Sequence, residues 1–262
     1  MSTIRFRTVI TPSGKVAYIP DDINIAFPSK PNLSGKIVQP LAYIPWDKKY
    51  LSFVPSQYEA FYKYLLPNLH ARTTDVHTAI CLPLLDLLLK NFPMKINKNV
   101  VYLGLILHDV GWSMLSDKEI ADSLSYHGLR LSSMAKAPKN KHAKLGALLA
   151  KKILADFKFT PPLNPKEIKQ ILDIILYHDI TPDLISNGTV TPELYLVSDA
   201  DRLWSYTHEN FWQDTIRKNV QPVMYLDNLS NELKGYFYTP QGKDLAKKLL
   251  SERELELNQY PR

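Results

Sequence analysis

The sequence contains one cysteine, Cys81, among 262 residues. An internal disulfide is therefore excluded, and the composition fits a reducing compartment. No apolar run reaches the roughly 20 residues that a membrane-spanning helix needs. The opening stretch "MSTIRFRTVITPSG" lacks the apolar core of a signal peptide. These absences predict a soluble, cytoplasmic protein with no membrane partner. There is also no block of like charge. The 32 Lys and Arg exceed the 26 Asp and Glu, a formal net charge of +6, but the lysines are spread along the chain. That balance favours a small anionic ligand such as a phosphate ester and carries no specific nucleic-acid signal. Internal repeats and low-complexity tracts are missing too. A chain of this length buries a substantial core, as one large domain or as one domain with an appendage.

What is present divides near residue 55. Residues 1–55 hold seven of the 19 prolines, and "TVITPSGKVAYI" reads as two short β segments around a Pro-Ser-Gly turn. This predicts a Pro-rich arm with a small hairpin, packed on the main body. From Ser56 the periodicity is helical, so residues 56–262 read as a helical domain with a C-terminal helical extension. "SQYEAFYKYLL" predicts a helix stopping near Pro67. A second helix spans about Thr74 to Lys90, kinked where Pro83 lacks an amide donor. "NKNVVYLGLILHD" is apolar on all sides and should be the buried central helix. Further helices follow over "NKHAKLGALLAKKILADF", "NPKEIKQILDIILYHD", "TPELYLVSDADRLW" and "GKDLAKKLLSERELEL". The second of these opens with Asn164 as N-cap, Pro165 at the first position and Glu167 completing a capping box; the third repeats that logic with Thr191 and Pro192. The expected fold class is all-α.

Four of the seven histidines fall on the apolar stripes of these helices. His77 aligns with Ile80, Cys81, Leu84 and Leu88, and His142 with Leu145, Gly146, Leu149 and Ile153. His178 closes the stripe of Ile168, Ile171, Leu172 and Ile175, and His108 ends the central helix beside Asp109. One inward histidine is most simply a satisfied core group. Four of them with inward carboxylates are hard to satisfy separately, because buried polar groups need partners. Convergence on a metal satisfies all of them together. In "SDADRLW", Asp201 lies at the edge of the buried face next to Leu194 and Val197, which makes it the candidate ligand. Asp199 points roughly 160° away and reads as a capping or supporting group. His108 and Asp109 would splay about 100° apart on a regular helix, but Gly111 suggests that the helix ends there, which lets both reach one ion.

This ordered set resembles the HD-domain superfamily, whose best-known members are metal-dependent phosphohydrolases. The family pattern is a histidine on one helix, a His-Asp doublet on a later one and an aspartate near the end of the core. It matches His77, His108 with Asp109, and Asp201 within "ADRL", over roughly residues 60–210. Some members carry two further histidines that hold a second metal, and His142 and His178 stand in the right order. The resemblance implies a dinuclear site, or a mononuclear one in which His142 and His178 support ligands or contact phosphate. Two departures are visible. Trp112 stands where one variant has a lysine, and no GYP triplet follows the doublet, which argues against the cyclic-dinucleotide hydrolase branch.

Mixed His and carboxylate donors suit Mn, Fe, Co, Ni or Zn and, less well, Mg, as one or two divalent ions. Such an ion would polarise a phosphoryl oxygen and lower the pKa of its water from about 15.7 towards roughly 7, so that hydroxide attacks phosphorus. His108 and Asp109 are the candidate catalytic pair, with Asp109 able to bridge two ions. Arg72, Lys139, Lys141 and Arg202 flank the ligands as candidate phosphate contacts; the alternative for each is a solvated surface charge. Asp179 reads as a helix cap or a support for His178. Cys81 reads as packing, and His70, His127 and His208 as ordinary histidines, although the sequence allows His127 to face the pocket. The expected activity is hydrolysis of a phosphate ester, nucleotides included. A diiron oxygenase acting on a small polyol or phosphonate, or a non-catalytic ligand-sensing module, are the alternatives.

Overall fold

The computed structural model describes residues 3–11, 14–27, 42–90, 92–124, 126–127, 129–131, 135–180 and 191–261. An antiparallel hairpin opens the chain. β1 (Phe6–Ile10) pairs with β2 (Val16–Pro20) in a register running from Phe6↔Pro20 to Ile10↔Val16. Gly14, at φ +78°, supplies the left-handed conformation of the turn; the expected turn residues Pro12 and Ser13 lie outside the described residues. The arm rests on the helical body. Ile19, Ile23, Ala42 and Ile44 belong to the same hydrophobic core as the helices, and the ring of Phe6 meets those of Trp212 and Tyr260 edge-on.

The rest is helical, as the periodicity predicts. α1 (Ser56–Leu69), α2 (Thr74–Lys90) and α3 (Lys98–Leu107) are followed by the short α4 (Asp117–Ser123). A two-residue ladder of β3 (Tyr126–His127) and β4 (Arg130–Leu131) precedes α5 (Lys136–Asp156), α6 (Pro165–Tyr177) and α7 (Pro192–Leu203). α8 (His208–Arg217), α9 (Pro222–Glu232) and α10 (Pro240–Leu257) complete the described fold. No helix among the described residues is long and apolar enough to cross a membrane.

α3 is the axis of the body. Every residue from Val100 to Leu107 is buried, and the helix is wrapped by α2, α6 and α7. Its start is fixed by Asn97, whose side chain accepts from the Val100 amide. The capping box of Asn164 and Glu167 starts α6, and Thr191 caps α7. These caps fix where α3, α6 and α7 begin, and so set His108, His178 and Asp201 in register on a common core.

Several elements depart from expectation. α1 runs two residues past Pro67 instead of stopping there. The carbonyl left without an amide donor belongs to Lys63, and both Lys63 and Pro67 are exposed, on the solvent face of the helix where such a loss costs least. α2, by contrast, spans Thr74–Lys90 with Pro83 inside it, the expected extent. α5 begins at Lys136, ahead of the expected Asn140. α4, α8 and α9 were not anticipated.

Candidate metal centre

His108 is the residue at which α3 stops. Its Nδ1 donates to the Leu105 carbonyl at 2.6 Å, so that Nε2 is the nitrogen that gains or loses the titrating proton and faces the cluster. His178 ends α6 in the same way, with Nδ1 donating to the Ile175 carbonyl at 2.9 Å. Both rings are buried. After His108 the chain leaves the helix at Asp109 and enters a tight 3-10 turn, Val110–Met114. That turn lies directly on α5. A Cβ on Gly111 would stand 2.0 Å from the His142 carbonyl oxygen and 2.6 Å from the Gly146 amide. Only glycine lets the backbone of the doublet approach the helix that carries His142.

The six expected metal ligands come together here. His77 Nε2 lies 3.0 Å from His108 Nε2 and 3.0 Å from Asp201 Oδ1. Asp109 Oδ2 is 3.5 Å from His108 Nε2 and 3.9 Å from His77 Nε2. The other oxygen of the same carboxylate faces the other way: Oδ1 is 3.3 Å from His142 Nε2 and 3.8 Å from His178 Nε2. Asp109 thus stands between a His77/His108/Asp201 group and a His142/His178 group.

These residues fit a divalent ion. Nitrogen and oxygen donors about 2.0–2.2 Å from one ion stand roughly 3 to 4 Å apart, as the cluster does. A proton shared between the Nε2 atoms of His77 and His108 can serve that pair, but it does nothing for His142. Although His142 Nε2 is near Asp109, the approach is off the hydrogen-bonding direction. Among the described residues neither ring nitrogen of this fully buried histidine has a hydrogen-bond partner. Three overlapping groups, His77/His108/Asp109, His108/His178/Asp201 and Asp109/His142/His178, have donor atoms close enough to share an ion.

The electrostatics describe a site primed for positive charge. Burial alone would lower the pKa of His108, but Asp109 and Asp201 beside it push it up to about 9. Burial alone would likewise raise Asp109 and Asp201. Imidazoles overcome it, His108, His142 and His77 for Asp109 and His108 and His77 for Asp201, and hold both carboxyls well below the usual range. Burial lowers His178.

Trp112 organises the second group. Its Nε1 donates to Asp109 Oδ1 at 2.9 Å, and its indole stacks on His142 with ring centroids 4.2 Å apart and planes 9° apart. The Arg72 guanidinium lies 4.2 Å from the same indole. Arg72 and Thr73 both have positive φ, 57° and 59°, an uncommon conformation for non-glycine residues that here leads into α2 and His77. A cavity of about 400 Å³ opens over the cluster, with His77, Asp109, Asp179, Asp201, Arg72 and Lys139 on its wall.

The four candidate phosphate contacts separate. Arg72 and Lys139 reach the cavity. Lys141 does not: its ammonium is at the surface, 2.6 Å from Glu119. It follows Asn140 and precedes His142 on α5, and the helical turn that points His142 inward points Lys141 outward. Arg202 borders the cavity, but it is buried and donates to the carbonyls of Tyr236 and Ile180 at 2.8 and 2.7 Å. It is a strut joining α7 to the segments that flank it.

Asp199 is a support, as its position on the wheel suggests. It accepts from the amides of Tyr238 and Thr239, each at 2.8 Å, and from the Thr239 hydroxyl at 2.6 Å, anchoring the start of α10. Cys81 is buried, and burial pushes its thiol pKa well up. His70 pairs with Asp75 and His208 with Glu256; the side chain of His127 lies outside the described residues. Asp179 stands beside His178, as its expected supporting role requires, and beside His142 as well. Its Oδ2 stands 3.8 Å from His142 Nε2 and 3.9 Å from His178 Nε2, on the side of each ring that faces the cluster. Sequence reasoning also missed the far wall of the cavity, where α8 and α9 contribute Gln213, Asn228 and Glu232.

The geometry is that of an all-α protein with a buried His/Asp cluster able to hold a metal. A family model described as "HD domain" matches residues 74–204, half of the 262-residue chain, and the chain belongs to that family. The match runs from the start of α2 to the turn after α7, so it spans all six clustered His and Asp residues. No curated protein and no solved structure matches the chain. The family is one of metal-dependent phosphohydrolase type, and the buried His/Asp cluster accords with divalent-metal binding.

Proposed function

We propose that this protein is a metal-dependent phosphohydrolase that cleaves a small phosphate ester, nucleotides included, at a dinuclear site. The observation that carries the reading is the division of Asp109 between two pairs of imidazoles. His77, His108, Asp109 and Asp201 would hold one ion, and His142, His178 and the other oxygen of Asp109 a second. Bound divalent ions supply a Lewis acid for a phosphoryl oxygen and a hydroxide nucleophile from water at neutral pH. The chain's own residues do the rest. The carbonyls of Leu105 and Ile175 hold the rings of His108 and His178 with Nε2 directed inward. Trp112 fixes the plane of the Asp109 carboxylate. Arg72, resting on that indole, and Lys139 bring positive charge to the cavity wall, where a phosphoryl group gains charge-assisted hydrogen bonds.

The test is reconstitution. Chelated, purified protein is reloaded with Mn, Co or Ni and assayed for phosphate release from a panel of nucleotides and sugar phosphates. Activity should require the metal and disappear in Asp109→Asn with helical circular dichroism unchanged. A metal-replete protein silent across the panel would overturn the reading. The four-imidazole, two-carboxylate set supports a second reading, a diiron oxygenase, equally well on donor chemistry. Oxygen consumption and visible absorption of the iron-loaded protein separate the two.

A further inference from the structure

Asp179 follows His178 directly at the C-terminal end of α6. Nothing there requires its carboxylate as a cap or as a support for the imidazole. The backbone amide of His178 donates to the Ile174 carbonyl, and its Nδ1 is held by Ile175. The carboxylate turns instead towards the inner faces of two rings, with Oδ2 3.8 Å from His142 Nε2 and 3.9 Å from His178 Nε2. Those separations match the longest within the His77 group, where His77 Nε2 and Asp109 Oδ2 are 3.9 Å apart. An independent observation points to a cation in this space. The fully buried His142 turns Nε2 towards Asp109 and Asp179, and among the described residues that nitrogen has no hydrogen-bond partner.

We propose that Asp179 is the fourth protein donor of a second divalent-cation site, completed by His142, His178 and Oδ1 of Asp109. The inference rests on the dinuclear reading above and adds a ligand to it. The two halves of the centre then have the same make-up. Each offers two imidazole Nε2 atoms and two carboxylate oxygens, with Asp109 shared and Asp201 and Asp179 as the outer oxygens. The charge balance favours the same assignment. Two carboxylates against two divalent ions leave two uncompensated positive charges in a buried site, which is costly. A third leaves one, which an anionic substrate can neutralise. Asp179 is also the most exposed of the set, its side chain 38 % accessible against 17 % for Asp201.

The experiment is a Mn(II) titration of the full chain, with bound metal counted after equilibrium dialysis and spin coupling read by electron paramagnetic resonance. Wild type should bind two coupled ions. Asp179→Asn and Asp179→Ala should keep the first ion unchanged and weaken the second at least about tenfold, with Asp179→Glu restoring most of the loss. Two ions at unchanged affinity in both Asp179 variants would overturn the assignment and leave the dinuclear reading standing. A single ion in saturated wild type would overturn both. Loss of both ions in Asp179→Asn would mark a role in the fold and overturn the assignment as well.

Discussion

At the scale of single residues, His108 carries the largest electrostatic consequence. Without metal its pKa rises from an ordinary 6.5 to about 9, since Asp109 and Asp201 outweigh the effect of burial. A raised folded-state pKa stabilises the protonated protein. That contribution is fully present below the unfolded value of 6.5 and is lost as pH climbs through about 9. The shift corresponds to on the order of 3 kcal/mol. Asp109 and Asp201 act at the other end, because carboxyls held below their ordinary value of 3.8 stabilise the fold above it and cease to do so as pH falls through the lowered value. Metal-free protein should therefore melt at progressively lower temperature between pH 6.5 and 9. Metal affinity should rise over the same window, because the ion must displace the His108 proton. Calorimetric melts and metal titrations at three pH values check both. A flat melting profile across the window would show that His108 is not the proton carrier.

At the scale of elements, the centre depends on how closely the 3-10 turn after α3 lies on α5. Gly111→Ala places a methyl group 2.0 Å from the His142 carbonyl, a contact with backbone that cannot yield cheaply. The expected outcome is destabilisation of about 3 kcal/mol or more together with loss of metal, since Asp109 and His142 are pushed apart. A thermal melt and a metal count test this, and wild-type values for both would contradict the packing argument. The elements that carry ligands were readable because local physics and burial agree there: α3 is apolar on every side, α6 has a complete capping box, and Thr191 with Pro192 opens α7. The missed helices had signals of the same kind. Ser116 and Glu119 form a capping box before α4, Thr207 caps α8, and Pro222 takes the first position of α9. Their short apolar stripes hid them. Lys141, Arg202, Trp112 and Asp179 were unreadable for another reason. Sequence neighbourhood says which helix a side chain rides on, whereas their partners Glu119, Tyr236, Asp109 and His142 come from other segments.

At the scale of the whole molecule, the centre ties together helices that are distant in sequence. His77 lies on α2, His108 ends α3, His142 lies on α5, His178 ends α6 and Asp201 lies on α7. An unfolded chain cannot present these donors together, so binding energy becomes folding energy. Free metal at 100 times its dissociation constant stabilises the folded state by about 2.7 kcal/mol per ion, while chelation exposes the cost of buried, like-facing imidazoles. The melting temperature should fall on chelation and recover on adding Mn. Two ions, as proposed, need not contribute together, and His178→Ala would separate them. That variant keeps His77, His108, Asp109 and Asp201 intact, so the first ion should stay, the metal count should fall by about one, and part of the metal-dependent shift in melting temperature should remain. The competing arrangement uses His142 and His178 only as hydrogen-bond donors to phosphate. It predicts an unchanged metal count and an unchanged metal-dependent shift, with weaker binding of inorganic phosphate. The inward Nε2 of buried His142, with no hydrogen-bond partner among the described residues, argues for the metal, because a phosphate present only during turnover would leave that nitrogen unsatisfied in the resting protein. Parallel melts of wild type and His178→Ala, each with chelator and with Mn, decide between the two arrangements.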